Sequence, residues 1–539
     1  MNDPTQPSIR DRSEIVRFFR WLFSWHVIRR ILIVLAWTAT VIALLYGEEN
    51  WRGRHAWNKY RQELEARGAQ LDLKTFIPKP VPDDQNFAAT PFIQSWFVRS
   101  TNPGPTFPDR WTDDYYRVAV QVHSRKHIAV QYDVGNRHFM DLVAYQMGFD
   151  ALRAGKLDPN ENLESDKSDF ESRAKAAPAV LEGLKTNEAG FAELRAASAR
   201  PYSRYPVIYD LDNPWGILLP HLAGIKRTCQ RLQLRACAEL AAGKNEKALE
   251  DVKLMLHLGD SIKEEPLLIS YVVRLACVQV AVQPVWEGLA EHQWSDAQLQ
   301  ELQALLLQYD FVADLKWPLE AERAAGILTA DLLASGKYHF RTLGMLGEPS
   351  SSGAAKTDLA GRFMPRGWYY QEKLNYCRLF QLQLEGAFDV ARKRISPKQI
   401  ELNSSELAQQ LPGSAGNGNA VVIHHRIIAT LLLPALGKVP LRAATAQTAA
   451  DQPALACALE RYRLANGQFP ENLEALVPKF ISQLPNDVIT GKPYKYRRTP
   501  DGQFVLYSVG WNEKDDGGTP GKTLFDEKQG DWVWQYPAK

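Results

Sequence analysis

Cysteine is scarce in this chain, and neither sign of charge is in excess. Five cysteines among 539 residues are too few for a disulfide-stabilised scaffold. Lys and Arg number 64 and Asp and Glu 62, a net charge of +2, so we expect no nucleic-acid partner. The 34 Gly, 32 Pro and 45% hydrophobic residues exclude a collagen-like or mostly disordered chain. At about 150 residues per domain, the length predicts three or four folding units.

The sequence also lacks the patterns of several enzyme classes. No G-x-S-x-G occurs, which excludes the nucleophile elbow of many hydrolases. His123 and His127 have the spacing of helical metal ligands, but no acidic residue completes the pattern, and the alternating valines of Val118–Val122 predict a strand nearby. His424 and His425 are adjacent and would diverge by about 100° on a helix. We therefore predict no catalytic residue and no cofactor-binding residue from sequence.

One long apolar segment dominates the N-terminal region. Ile31–Tyr46 contains no charged residue. Val27–Arg30 extend it to the roughly 20 residues that span a bilayer, because arginine side chains can reach the headgroups. The residues after Tyr46 do not form a small-x-small cleavage site, which favours an uncleaved anchor over a signal peptide. The sequence predicts a transmembrane helix over 27–46; the alternative is a buried core helix.

The charges flanking this segment bear on its orientation. Five Lys or Arg residues lie within about 20 residues on each side, so the count is balanced. Arg29 and Arg30 directly precede the run, which favours a cytoplasmic N-terminus. We expect a single-pass protein of a bacterial inner membrane, with a cytoplasmic tail over 1–26 and most of the chain extracytoplasmic. Ile15–His26 is amphipathic and would either lie on the inner leaflet or extend the span.

The next four hundred residues are expected to be mostly helical. We predict a stalk and proline-rich wrap over 47–115, beginning with a helix over 51–68. A large helical domain is predicted over 116–420, with a helix–turn–helix pair centred on Gly243. This pair resembles one tetratricopeptide unit, but no second copy follows at 34 residues, so an irregular helical domain is favoured. Loops are expected over 347–361 and 403–419, where Gly, Ser and Ala are frequent.

The C-terminal segment, 421–539, has mixed helix and strand patterns. Leu455, Leu459 and Tyr462 form one apolar helical face, and Asn466-Gly467 is typical of a helix end. Thr499–Gly502 has turn composition. The predicted strands contain Tyr494–Tyr496, Phe504–Val509 and Trp532–Trp534.

This segment resembles the globular domain of type II secretion pseudopilins and related pilin-like proteins. The resemblance rests on ALERYRLANGQFPENLEALVPKFISQLPNDVITGKPYKYRR, followed by FVLYSVGWNEKDDGG, and covers about a fifth of the chain. It implies a small α+β domain and a link to a secretion or pilus-type envelope assembly. A pseudopilin begins with a basic leader and a peptidase site, whereas AVVIHHRI precedes the similar region here, so we expect no processing as a pilin subunit. The fold class expected for the whole chain is mainly α, with a single N-terminal transmembrane helix, a large irregular helical domain and a C-terminal pseudopilin-like α+β domain.

The same resemblance implies a calcium ion in the loop before the last strand. The matching positions are Ser508, Asn512 and Asp531, with Asp515 and Asp516 nearby. The ligands expected from this resemblance are Ser508, Asn512, Asp516 and Asp531. Calcium is bound by six to eight oxygen atoms, which carboxylates and carbonyl groups of a loop can provide. The alternative is a solvated acidic turn closed by Gly517-Gly518.

Two functions remain open from the sequence. The first is a non-enzymatic scaffold or interaction protein, anchored in the lipid bilayer and binding other envelope proteins. The second is an anchored extracytoplasmic hydrolase whose active site is assembled from distant residues. A deep pocket with converging titratable groups would favour the hydrolase, and a broad apolar or aromatic surface would favour binding. The sequence predicts no particular oligomeric state.

Overall fold

A computed structural model describes residues 18–19, 21–97, 114–122, 137–158, 162–165, 169–339, 364–411 and 424–537. The protein is mainly helical, as the sequence predicted. Its helices are α1 (Trp25–Ala66), α2 (Pro91–Gln94), α3 (Asp114–Val122), α4 (Leu142–Arg153), α5 (Phe170–Gly183), α6 (Glu188–Ala197), α7 (Pro220–Ala241), α8 (Asn245–Asp260), α9 (Leu268–Ala290), α10 (Asp296–Leu306), α11 (Phe311–Asp314), α12 (Lys316–Ala334), α13 (Arg366–Leu384), α14 (Pro397–Gln410), α15 (Ile427–Leu432) and α16 (Val439–Asn466). Short 3₁₀ turns between α1 and α3 include Leu73–Phe76, Asp83–Gln85, Phe87–Ala89 and Ser95–Phe97.

Within the described ranges, the strands form two small antiparallel sheets. β1 (Phe388–Asp389) pairs with β2 (Arg394–Ile395). β3 (Lys495–Arg498), β4 (Phe504–Ser508) and β5 (Trp532–Trp534) form a three-stranded sheet in sequence order. The strands predicted near the C-terminal end are thereby confirmed.

The chain divides into two compact units. The N-terminal unit contains Met1–Ala69, Thr329–Cys377 and Asn417–Leu431. The main unit contains Gln70–Leu328, Arg378–Gly416 and Leu432–Lys539. Segments from both predicted domains, 116–420 and 421–539, contribute to the main unit. The predicted boundary at 420 is untested and stays a prediction.

In the N-terminal unit, α1 is one continuous helix of 42 residues. It joins the helices predicted over 27–46 and 51–68. The apolar 18-residue window of α1 has no buried residue, whereas Trp57 and Leu64, seven residues apart, are buried. The apolar side chains of the N-terminal half of α1 are therefore exposed on all sides, whereas one face of its C-terminal half is buried. Part of the predicted tail, residues 1–17 and 20, lies outside the described residues.

The main unit is built around long helices that pack in sequence order. α7 and α8 form the predicted pair, with Gly243 between them at φ +70°. The side chain of Gln452 on α16 donates to the Trp532 carbonyl at 2.7 Å. The indole of Trp286 on α9 donates to the Gln535 carbonyl at 3.0 Å. These two bonds attach the C-terminal strand region to the helices of the main unit.

Two sequence predictions about local structure were wrong. Asp114–Val122 is helical instead of extended, because Tyr115, Val118 and Ala119 are buried together at helical spacing. The loop predicted over 403–419 begins with helix, since α14 continues to Gln410. His123, His127 and the predicted loop over 347–361 lie outside the described residues. All five cysteines are buried and free of disulfides.

Among the described residues, three helical segments are long and apolar enough to span a membrane. Besides α1, they are α9 and the continuous stretch Ile427–Asn466. The apolar windows of these two segments are 67% and 56% buried within the protein, against 0% for α1. The predicted N-terminal apolar helix is thus confirmed. Hydropathy alone, however, does not distinguish it from the other two candidate membrane spans.

Candidate functional site

The residues predicted to bind calcium lie around the end of the three-stranded sheet. Ser508 ends β4 and is buried, and its hydroxyl donates to Oδ1 of Asp487 at 2.8 Å. Asp531 directly precedes β5, and its carboxylate accepts from the backbone amides of Gly518 at 2.7 Å and Asp516 at 3.2 Å. Burial raises the pKa of Asp531 above its ordinary value. Ser508 and Asp531 therefore stabilise the sheet and the loop through different partners.

The remaining two predicted ligands occupy the loop itself. Oδ1 of Asn512 accepts from the Lys514 amide at 2.9 Å and closes an Asx turn. The side chain of Asp516 is exposed. Among the described residues, no group of three or more His, Cys, Asp or Glu side chains is arranged to hold a metal ion. Calcium binding by Ser508, Asn512, Asp516 and Asp531 stays a prediction.

The main unit carries a groove that sequence reasoning did not identify. Five separate segments form it: 73–77, 209–219, 266–272 at the beginning of α9, 321–325 in α12, and 435–442 at the beginning of α16. Its volume is about 310 Å³, at the small end of ligand-sized cavities. We call it the apolar groove. Its apolar lining includes Leu73, Ile77, Leu211, Trp215, Ile217, Leu219, Leu267, Leu268, Ile269, Val272 and Val439.

Three polar side chains also line the apolar groove. The hydroxyl oxygen of Tyr209 is buried and has no hydrogen-bond partner in the described structure, and burial raises the pKa of this phenol. Burial likewise raises the pKa of Glu322 to about 7, so a large fraction of this carboxyl group is neutral near pH 7. Arg442 is exposed at the groove. The groove is therefore apolar along its walls, with a few polar groups that can orient a ligand.

A buried polar cluster borders the apolar groove, since Glu265 immediately precedes the lining residues Pro266–Ile269. Nε2 of His221 lies 2.9 Å from Oε1 of Glu265, and the Ser270 hydroxyl donates to Oε2 of Glu265 at 2.5 Å. The His221 ring stacks against Tyr205 and Phe97 at centroid distances of 4.5 and 5.5 Å. These residue types occur in hydrolytic triads, but there the histidine lies between the acid and the nucleophile.

In this cluster both His221 and Ser270 bind Glu265. Nδ1 of His221 is buried and has no partner among the described atoms. The serine is consequently hydrogen-bonded to the carboxylate and not to the histidine that activates the serine of a triad. The geometry is that of a structural cluster, and it gives no support to a Ser-His hydrolase.

Only a weak sequence signal could have indicated the apolar groove. The segment IYDLDNPWGILLP (208–220) combines large apolar residues with turn formers. An irregular segment of this composition places apolar side chains at the surface, because it cannot bury them on one regular face. The other contributing segments are far from 208–220 in the sequence, so no local pattern joins them to it.

The chain matches no protein-family model, no curated protein and no solved structure. The resemblance to pseudopilins therefore rests on the quoted motifs alone, and the function is inferred from the chain itself.

Proposed function

We propose that this protein is a membrane-anchored, extracytoplasmic interaction protein. In this proposal α1 crosses a bacterial inner membrane once, and the main unit binds an apolar segment of another envelope protein in the apolar groove. The observation that carries the proposal is the contrast within α1, whose apolar window has no buried residue while its C-terminal half buries Gly53, Trp57 and Leu64. Exposed apolar side chains over the thickness of a bilayer are favourable only in a lipid environment. The link to a secretion or pilus-type assembly is supported by the C-terminal resemblance.

The surface around the apolar groove supports a protein partner. Leu218, between two lining residues, is 67% exposed, and Ile269 on the groove wall is 52% exposed. Exposed apolar side chains around a groove are typical of protein interaction sites. An apolar partner segment would cover these side chains, and an acceptor on that segment would satisfy the Tyr209 hydroxyl.

The alternative function, an extracytoplasmic hydrolase, has less support. Tyr209 and Glu322 are titratable groups in one groove, as the hydrolase hypothesis requires. However, the described lining contains no serine, cysteine or histidine, the residues that form the commonest nucleophile–base pairs of hydrolases. Binding is therefore the function that this geometry favours.

Site-specific photo-crosslinking in cells tests the proposal. A photoreactive residue is placed at Ile269 or Val272 in the groove, and at Leu402 on α14 as a control. Leu402 is also an exposed apolar residue, at 55%, but does not line the groove. We expect a discrete adduct with an envelope protein from the groove positions and none from Leu402. Equal adducts from all three positions, or none from the groove, would contradict the proposed binding.

A further inference from the structure

A second groove lies in the N-terminal unit, where α1 meets the beginning of α13. Its volume is about 560 Å³. We call it the headgroup groove, and its lining includes Trp51, Arg54, His55, Asn58, Arg366 and Tyr370. The groove is separate from the apolar groove, and neither the proposed anchor nor the proposed partner site accounts for its composition.

The position of this groove along α1 matches the polar layer of a bilayer. The apolar run ends at Tyr46, and Arg54 follows eight residues later, or about 12 Å along the helix axis. The headgroup layer extends roughly 5–8 Å beyond the hydrocarbon on each side. Arginine side chains extend several ångströms along a helix and can reach back to that layer. Groups lining the groove are thus within reach of lipid phosphates.

Two arginines in the headgroup groove carry uncompensated charge. Arg54 and Arg366 are exposed, and neither guanidinium has an ion-pair partner in the part of the chain that the structure describes. Arg52, on the same turn of α1, is different: its Nε lies 3.5 Å from Oε1 of Glu48, and it also pairs with Glu49. Guanidinium groups bind phosphate oxygens in a bidentate manner. A phosphate group is therefore the chemistry that these two arginines fit.

A close contact between two glycines holds these arginines together. A Cβ atom added to Gly53 would lie 2.3 Å from the carbonyl oxygen of Gly367, and one added to Gly367 would lie 2.0 Å from the carbonyl oxygen of Glu49. The side chain of Asn50 also accepts from the Gly367 amide at 2.6 Å. Small residues allow helix backbones to approach this closely. Arg54 and Arg366 directly follow and precede the two glycines, so the contact fixes both at the groove.

The aromatic side chains of the groove also suit a membrane surface. Trp51 is 70% exposed, and its ring stacks on His55 at a centroid distance of 5.6 Å. Exposed tryptophans immediately beyond an apolar span are typical of the bilayer interface.

We propose that the headgroup groove binds the phosphate of an anionic phospholipid such as phosphatidylglycerol. The inference rests on the proposed membrane anchor and adds a lipid ligand to it. The two guanidinium groups bind the phosphate, and the net charge of the groove favours an anionic lipid over a zwitterionic one. Bound lipid fixes the depth and the orientation of the chain at the membrane surface.

Native mass spectrometry of the full chain tests this site. The protein is purified in mild detergent with phosphatidylglycerol or phosphatidylcholine, and retained lipid is counted. We expect retention of phosphatidylglycerol, and a loss of about tenfold or more in the double variant Arg54→Gln/Arg366→Gln. Arg52→Gln is the matched control, since Arg52 is near the same depth but is ion-paired; it should retain lipid like the wild type. The Arg54→Lys/Arg366→Lys variant should retain an intermediate amount, because lysine keeps the charge but loses bidentate binding.

Three results would overturn the lipid site. These are equal retention of phosphatidylglycerol by the double glutamine variant, equal retention of the two lipids by the wild type, and complete displacement of the lipid by inorganic phosphate. The last result would assign the groove to a free anion. Membrane fractionation of the same variants distinguishes failure of the proposed anchor from failure of the proposed lipid site. If the anchor proposal is wrong, the wild type will be soluble. If only the lipid-site proposal is wrong, the wild type will remain in the membrane fraction.

Discussion

Buried arginines connect different helices of the main unit. Each of three guanidinium groups in the main unit is bound by two carboxylates: Arg173 by Glu287 and Glu291, Arg235 by Asp251 and Glu188, and Arg274 by Asp260 and Asp314. Burying a charge is costly unless it is paired and hydrogen-bonded. These contacts therefore select the native helix arrangement over others that would leave a charge unpaired.

Replacing Arg235 should destabilise the main unit strongly. Its Nε lies 2.6 Å from Oδ2 of Asp251, which is fully buried. Burial and the neighbouring Asp251 already raise the pKa of Glu239 to about 8, so an unpaired Asp251 would face a second acid. We expect Arg235→Ala to lower the free energy of unfolding by about 3–5 kcal/mol, as measured by chemical denaturation. Arg153→Ala, in an exposed pair with Asp150, should change it by less than about 1 kcal/mol; similar losses in both variants would contradict this expectation.

Glu372 makes the stability of the N-terminal unit depend on pH. Its carboxylate accepts from the amides of Ile427 at 3.0 Å and Ile428 at 3.1 Å, yet burial raises its pKa from 4.5 to about 8. Because the pKa of Glu372 is higher in the folded state than in the unfolded state, this group contributes to the stability of the fold. The contribution is complete below about pH 4.5 and is lost as the pH rises through about 8. We expect the thermal midpoint to fall as the pH rises from about 5 to about 9, and to fall less in Glu372→Gln. Parallel pH curves for the two proteins would exclude this role.

At the scale of single elements, local signals predicted the C-terminal strands and the end of α16. α16 ends at Asn466, and Gly467 follows with a left-handed φ of +79°, as Asn-Gly predicts. The amide of Gly502 donates to the Thr499 carbonyl at 3.0 Å and closes the predicted turn between β3 and β4. These features depend on the conformational preferences of a few neighbouring residues, which is why the sequence alone was sufficient.

Elements whose structure depends on distant partners were not predictable in this way. The alternating valines of α3 fit a strand equally well, but the Tyr115 ring stacks on Tyr145 of α4 at 6.5 Å, and Val118 packs in the same core cluster. Tertiary packing on one helical face overrode the local β preference. The apolar groove could not be predicted from the sequence for the same reason, because its lining comes from separate segments without a shared motif.

The C-terminal loop provides a test of the predicted calcium site. If calcium binds there, the thermal midpoint should be higher with calcium than with chelator, because a ligand that binds only the folded state stabilises it. The double variant Asn512→Ala/Asp516→Ala should lose this difference. Asp531→Ala should lower the midpoint in both conditions, since its carboxylate also holds the Gly518 and Asp516 amides. The same midpoint with and without calcium in the wild type would end the calcium hypothesis.

For the whole molecule, burial distinguishes helices that hydropathy treats alike. α9 and Ile427–Asn466 bury 67% and 56% of their apolar windows against other parts of the protein, and α1 buries none. A helix whose apolar side chains already contact protein gains little by entering lipid, whereas α1 gains the full transfer of its exposed side chains. The sequence showed that these segments are apolar, but their environment is a property of the folded chain. This difference in burial favours a single membrane-spanning helix, α1.

The number of spans can be decided by removing α1's apolar half. Alkaline carbonate extraction should leave the full chain in the membrane pellet and release a variant consisting of residues 47–539, because α9 and Ile427–Asn466 are largely covered by protein. Replacing 27–46 by an unrelated transmembrane helix is the control and should restore the pellet fraction. A periplasm-dependent reporter after Lys539 should be active in the full chain, as expected for an extracytoplasmic main unit. Retention of the 47–539 variant in the pellet would mean that a second helix spans the bilayer, and the main unit would then lie at least partly within it.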